Sequence, residues 1–312
     1  PGDTLAPQCT PGDTLYDCIV NLTGLAGNTS GTNAWLGQNV GSNGATTTGT
    51  VFIGNNAGDG ATNAYYSIFL GANAGQNATN ASNSNFIGQN SGEGASNAND
   101  SNFFGQHAGC FATNADNSSF FGDHAGCYAE NADHSSFFGS YSGYWAQNAN
   151  DAVFMGGNAG YFETDAPRSV FLGSSAGQQA KFANDSTFIG YQAGQNATNA
   201  NNSVFMGAQA GWGADGAESS MFIGNKAGYN ASSTVDFLGA TQSVFPGLYG
   251  NAMFIGNEAG YNAYAAAHSI FIGAQAGYQA TNAAGATFLG VQAGMGATNA
   301  QGSVFIGPLA GS

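Results

Sequence analysis

Hydrophobic and polar positions alternate over a short segment that recurs along almost the whole chain. In its fullest form the segment reads "SVFIG", and its glycine occurs in seventeen copies between Gly37 and Gly307. Fifteen of the sixteen spacings are 17 residues, and the spacing from Gly224 to Gly239 is 15 residues. A short fixed period is typical of repeat proteins, whose units stack on one another.

Each copy is numbered here from that glycine, which is position 0. Position −2 is Phe in sixteen copies and Trp35 in the other, and position −1 is always Ile, Leu, Phe or Met. Ser is commonest at −4, a second Gly occupies +4 in sixteen copies, and Ala dominates +3, +7 and +10. A β-branched and aromatic segment ended by glycine indicates a strand. Seventeen residues bury too little to fold alone, so the pattern predicts an all-β parallel solenoid of about seventeen 17-residue coils over residues 34–312.

The two faces of this strand differ in character. Positions −2 and −4 lie on one side, and −1 and −3 lie on the other. If Phe at −2 points inward, the apolar column at −1 lies on the outer surface; if −1 points inward, the Phe column is exposed instead. In either case the apolar stripe on the surface is longer than a monomer normally exposes. We therefore expect another subunit to cover it; the alternative is cover by the N-terminal segment. The column at −1 includes Leu36, Ile53, Leu70, Ile87, Phe104, Phe121, Phe138, Met155, Leu172 and Ile189.

Composition narrows the possible partners. Three basic residues against eighteen acidic ones give a formal net charge of −15. Phosphate backbones are held by clustered Lys and Arg, so nucleic acid is not expected as a partner. The chain contains no apolar run long enough to span a membrane, and we expect no membrane segment.

The repeats resemble a known family. "SVFIGPLAG" at Ser303 and "SVFLGSSAG" at Ser169 are similar to the "SVAIG" repeats in the heads of trimeric autotransporter adhesins, and related repeats occur in phage tail-fibre-like proteins. The resemblance covers about Trp35 to Ser312. It implies a surface location and an adhesive or fibrous role, with a host surface or glycan as an expected partner. Here the coil is longer than that family's unit, and Phe replaces its Ala.

The ends and one internal stretch depart from the repeat. Residues 1–33 contain Cys9 and Cys18, which we expect to close a disulfide loop in a segment that either caps the first coil or joins the next subunit. The stretch 225–250 is irregular, and a recognition loop or a tolerated defect would each account for it. Only Ser312 follows Gly311, so we expect either an uncapped end that meets another copy head to tail or a fragment of a longer adhesin.

Two copies of "HAGC" place His107, Cys110, His124 and Cys127 on adjacent coils. A disulfide or a pair of thiols between Cys110 and Cys127 is the favoured interpretation, and a tetrahedral Zn²⁺ site of the two His and two Cys is the weaker one. Four cysteines in two pairs favour an oxidising, extracellular or cell-surface location.

Asparagine is abundant, and we expect two roles for it. We expect the Asn side chains at +9 to stack on one another along the rod. Ten Asn-x-Ser/Thr sequons are candidates for glycosylation: Asn21, Asn28, Asn77, Asn80, Asn99, Asn117, Asn184, Asn196, Asn201 and Asn230.

No catalytic constellation has interpretable spacing, and we expect neither enzymatic activity nor a cofactor. The sequence therefore predicts a structural subunit of a self-assembling extracellular filament or surface fibre. The alternatives are a trimeric adhesin or phage-fibre head that binds a receptor and, with less support, a solenoid enzyme that degrades glycans.

Overall fold

The computed structural model describes residues 33–42, 47–232 and 250–312, which form an all-β structure without helices. Each of its sixteen strands is three residues long and ends directly before the Gly at position 0. The strands are β1 Ala34–Leu36, β2 Val51–Ile53, β3 Ile68–Leu70, β4 Asn85–Ile87, β5 Asn102–Phe104, β6 Ser119–Phe121, β7 Ser136–Phe138, β8 Val153–Met155, β9 Val170–Leu172, β10 Thr187–Ile189, β11 Val204–Met206, β12 Met221–Ile223, β13 Met253–Ile255, β14 Ile270–Ile272, β15 Thr287–Leu289 and β16 Val304–Ile306.

The strands form one parallel sheet in chain order, from β1 to β16. Equivalent residues lie side by side, as where Phe103 pairs with Phe120. A second series of parallel bridges runs along another side of the coil at position +8, from Thr62 to Thr298. These two series confirm the predicted parallel β-solenoid.

The predicted count of seventeen coils is not confirmed. Strand β12 pairs directly with β13, and Met221 lies opposite Met253, 32 residues further along the chain. The copy counted at Gly239 belongs to residues 233–249, which are outside the described residues, as are residues 1–32 with Cys9 and Cys18.

The core is a column of phenylalanine surrounded by alanine. From Phe52 to Phe288 the −2 side chains are at most 2% exposed. Neighbouring rings from Phe52 to Phe305 stack with centroids 4.6–5.0 Å apart. Alanines at +3, +7 and +10 are buried around them, because a narrow coil has room for only one large side chain. Burying each ring contributes about 1.5–3 kcal/mol.

The two repeated glycines are required by their neighbours. Gly122, at position 0, has a φ of 141°, and a Cβ there would lie 2.5 Å from the carbonyl oxygen of Gly139 in the next coil. Gly126, at +4, has a φ of 62°, and a Cβ there would lie 2.3 Å from the Phe120 ring. Only glycine combines these conformations with such close approach.

Serine at −4, present in most coils, links each such coil to the next. The hydroxyl of Ser118 donates to the carbonyl oxygen of Ala132 at 2.6 Å and accepts from the backbone N–H of Ser135 at 3.1 Å. Buried backbone groups need partners where the strand ends, and this serine supplies them at the junction with the following coil.

Candidate functional site

The outer face of the sheet carries the predicted apolar column. With Phe at −2 pointing inward, none of the sixteen described side chains at −1 is buried, and several are well exposed: Leu36, Leu70, Met155, Met206, Ile272 and Ile306. Position −3 lies on the same face and adds exposed apolar residues, among them Ile68, Ile270 and Val304. The expectation that one apolar column faces outward is confirmed for the described coils.

This outer face changes in width along the rod. In β4 to β7 position −3 is polar, and the amide of Asn85 donates to that of Asn102 at 2.8 Å. In β8 and β9 the same position is Val153 and Val170. The apolar surface is thus one column wide near β4 to β7 and two columns wide over much of the remainder. No described residue at −1 or −3 is charged.

Two columns of amides run along other edges of the solenoid. At +9, each Asn from Asn63 to Asn131 donates to the next at 2.8–2.9 Å, and Asn148 ends the series on Asp165. At +2, Asn39, Asn56 and Asn73 each donate to the next coil at 2.9–3.1 Å. Most of these residues have positive φ, which asparagine tolerates better than most residues. The predicted stacking of Asn at +9 is confirmed over these coils.

An aromatic corner interrupts the pattern in four consecutive coils. We define it by position +6, which holds Phe111, Tyr128, Trp145 and Phe162, and position +5, which holds Tyr144 and Tyr161. The rings of Tyr128 and Trp145 stack with centroids 4.7 Å apart, and those of Tyr144 and Tyr161 are 5.4 Å apart. Burial, together with the neighbouring tyrosines Tyr144 and Tyr141, raises the pKa of Tyr161. Because the rings stack along the rod, mainly their edges face solvent.

The "HAGC" repeats lie beside the aromatic corner. Cys110 and Cys127 form a disulfide with their Cα atoms 4.6 Å apart, as the favoured interpretation predicted. Both sulfurs are therefore used, and the Zn²⁺ site of two His and two Cys is not formed. His107 and His124 stack with ring centroids 4.5 Å apart.

The carboxylate of Asp123 lies close to both histidines. Asp123 Oδ1 lies 2.8 Å from His124 Nδ1, and one ligand atom from each of His107, Asp123 and His124 lies within 4.8 Å of the others. Sequence reasoning missed Asp123, although its position directly before His124 was a visible signal.

The candidate glycosylation sites occupy different environments. Asn77, Asn117 and Asn230 are exposed. Asn80 belongs to the amide column at +9, and its Nδ2 donates to Asn97. Asn99 and Asn201 accept backbone N–H groups from the preceding coil, and Asn184 and Asn196 are partly buried. Asn21 and Asn28 are outside the described residues.

One buried acid was also missed. Glu163 occupies +7, where every other described coil has alanine, and it is fully buried. Its carboxylate oxygens have no well-aligned hydrogen-bond partner, and the nearby backbone N–H of Ala166 offsets the effect of burial on its pKa only in part. Burial, followed by the nearby Asp165, raises the pKa of Glu163 well above its usual value. The signal was the replacement of "ATNA" by "ETDA".

No known protein-family model matches the chain, and no curated protein is significantly similar to it in sequence. The class is therefore defined by the fold itself, a parallel β-solenoid with a phenylalanine core. Over the described ranges, the chain forms no helix that could cross a bilayer.

Proposed function

We propose that this chain is a structural subunit that associates with copies of itself through the outer sheet face to build an extracellular filament or surface fibre. The observation that carries the proposal is the apolar column at −1, in which each of the sixteen described strands, β1 to β16, presents a half-buried or exposed apolar side chain to solvent. Exposed apolar surface of this extent is typical of protein interfaces.

The size of the face suits a subunit contact. Sixteen strands spaced by ~4.8 Å give a length of roughly 70 Å, and a three-residue strand is ~10 Å long. The resulting area of roughly 700 Å² is close to the ~800 Å² that each partner buries in a standard interface. The described residues at −1 and −3 carry no charge, which keeps the cost of desolvating this face low.

The net negative charge of the chain makes its association depend on salt. Copies that each carry a net charge of −15 repel one another, and dissolved ions screen that repulsion within about 10 Å at 0.1 M. We therefore expect assembly to strengthen as ionic strength rises. The disulfide between Cys110 and Cys127 supports an oxidising, extracellular setting.

Charge substitution on the face tests the proposal. Met155 and Met206 are 44% and 40% exposed at −1, and the double variant M155K/M206K would place two ammonium groups in the contact. Sedimentation velocity and negative-stain microscopy should show assemblies for the natural chain and mostly single rods for the variant.

A matched control separates this contact from a general effect of charge. Phe182 is 45% exposed but lies at +9, away from the sheet, so F182K should assemble like the natural chain. A natural chain that stays monomeric at high concentration and high salt, or assembly that M155K/M206K leaves intact, would refute the proposal.

A discrete trimer is the second candidate, because three solenoids could bury the same apolar column and the "SVFIG" repeats resemble those of trimeric adhesins. Microscopy separates the two: filaments of many subunits support the fibre, and short rods with the mass of three chains support the trimer. An adhesive role would then be tested by binding to cell surfaces and glycan arrays.

A further inference from the structure

Three potential metal ligands converge at the edge of the aromatic corner. His107 and His124 both occupy position +2 on adjacent coils, with φ values of 56° and 57°. Asp123 directly precedes His124, and one ligand atom from each of the three residues lies within 4.8 Å of the others. The disulfide between Cys110 and Cys127 joins the same two coils three residues further on, so it holds the histidines together.

The direction of the hydrogen bonds in the amide column at +2 determines which ring nitrogen of His107 carries the proton. Asn73 donates to Asn90 Oδ1 at 2.9 Å, so the Nδ2 of Asn90 faces His107 Nε2 at 2.7 Å. In this arrangement Nε2 accepts and Nδ1 carries the proton, yet Nδ1 is buried without a hydrogen-bond partner. A buried polar atom without a partner is uncommon and indicates a missing neighbour such as an ion or a water.

If the side-chain amides of this column are turned over, the Nδ1 atom of His107 is left without a proton. If the amides of Asn39, Asn56, Asn73 and Asn90 all turn over, the number of hydrogen bonds between them is unchanged, and Asn90 Oδ1 accepts from Nε2–H of His107. The Nδ1 atom of His107 then has an unshared electron pair. Amide orientation is assigned from such networks, and this alternative leaves His107 ready to bind a cation through Nδ1.

The surroundings favour a cation. The carboxylates of Asp123 and Glu93 lie close enough to His107 to favour positive charge beside it. The three basic residues of the chain, Arg168, Lys181 and Lys226, belong to later coils.

We propose that His107, Asp123 and His124 form a binding site for a divalent transition-metal ion of the Zn²⁺ or Cu²⁺ class. Two imidazole nitrogens and one carboxylate oxygen suit these ions better than Ca²⁺ or Mg²⁺, which prefer oxygen ligands. At a Zn–N distance of ~2.0–2.1 Å, ligand atoms up to 4.8 Å apart must move closer together. The ring of His124 stacks between His107 at 4.5 Å and Tyr141 at 4.8 Å, so metal binding requires this ring to leave the stack, and its side chain is 24% exposed on one side.

Asparagine replacements provide the test, because Asn already fills position +2 in the coils from Asn39 to Asn90. His107→Asn and His124→Asn should preserve the positive φ and extend the amide column. His134, an exposed histidine at +12, supplies the matched control variant His134→Asn. The full-length proteins are titrated with Zn²⁺ by calorimetry at neutral pH, and Cu²⁺ complexes are examined by electron paramagnetic resonance.

We expect one equivalent of Zn²⁺ to bind the natural chain with at least tenfold higher affinity than either His107→Asn or His124→Asn, and His134→Asn to bind like the natural chain. The Cu²⁺ spectrum should show two coupled nitrogens, and one in His124→Asn. Thermal unfolding checks that each variant is folded. The proposal is overturned if Zn²⁺ shows no saturable binding, if His134→Asn loses as much affinity as the other two variants, or if His107→Asn and His124→Asn both bind Zn²⁺ as tightly as the natural chain.

Discussion

Phe120 and Phe121 are adjacent residues of the same type on β6, yet they lie on opposite sides of the sheet. Phe120 is fully buried, and its ring stacks between Phe103 and Phe137 at 4.7 Å. Phe121 is partly exposed and stacks between Phe104 and Phe138 at 4.9 Å. The stacking geometry is nearly the same, so the two residues differ mainly in contact with water. The inner column stabilises the coil, whereas the outer column is free to contact another molecule.

The largest expected effect is that of Phe120→Ala. Deleting a buried ring removes its transfer free energy and leaves a cavity, which together cost about 3–5 kcal/mol. Guanidinium unfolding followed by circular dichroism measures the loss. Because coils contact only their neighbours, the unfolding transition should also broaden. A cost no larger than that of Phe121→Ala would contradict the distinction between the two faces.

Glu163→Ala should stabilise the protein, since the inner face accepts small apolar residues and Glu163 places an acid there. Removing a buried acid that has no well-aligned hydrogen-bond partner recovers about 1–3 kcal/mol. Alanine is the natural residue at +7 in the other described coils, so it fits the space. The unfolding free energies of the natural chain and the variant at neutral pH test this expectation.

The gain from Glu163→Ala should depend on pH. Because the folded-state pKa of Glu163 is raised, the carboxyl is protonated in both states below the unfolded pKa of ~4.3, and there its ionisation costs nothing. As the pH rises from that value through the folded pKa, the natural chain loses stability relative to the variant. Glu163→Gln, which does not titrate, should lack this pH dependence. A difference between the natural chain and Glu163→Ala that is constant with pH would show that the group does not titrate as inferred.

Phe121→Ala should cost less stability than Phe120→Ala. It removes two stacking contacts on the outer face, worth about 0.5–1.5 kcal/mol each, and leaves a surface gap that water can fill. Phe121→Ala should weaken association more than Phe120→Ala does. At equal concentrations of folded protein, the Phe121→Ala variant should therefore have the lower sedimentation coefficient. If Phe121→Ala assembles normally, the outer column near β6 does not form the contact.

Much of the fold followed from particular residues in the sequence. The 17-residue period, the Phe at −2 and the Gly at 0 predicted the strands, the parallel stacking and one apolar column left outside the coil. The pairing of Cys110 with Cys127 followed from the same period. The candidate metal ligands did not, because a contact between Asp123 and the two histidines depends on side-chain directions at a turn with positive φ.

The chain by itself determined that one strand repeats, that the strands stack in parallel and that one apolar column is left over, because a strict period places equivalent residues next to one another. Only the tertiary structure decided that β12 pairs with β13 across 32 residues. It also decided that Phe rather than the residue at −1 fills the coil and that Glu163 lies in the core. These outcomes depend on how much space a closed coil encloses, which no local pattern of residues specifies.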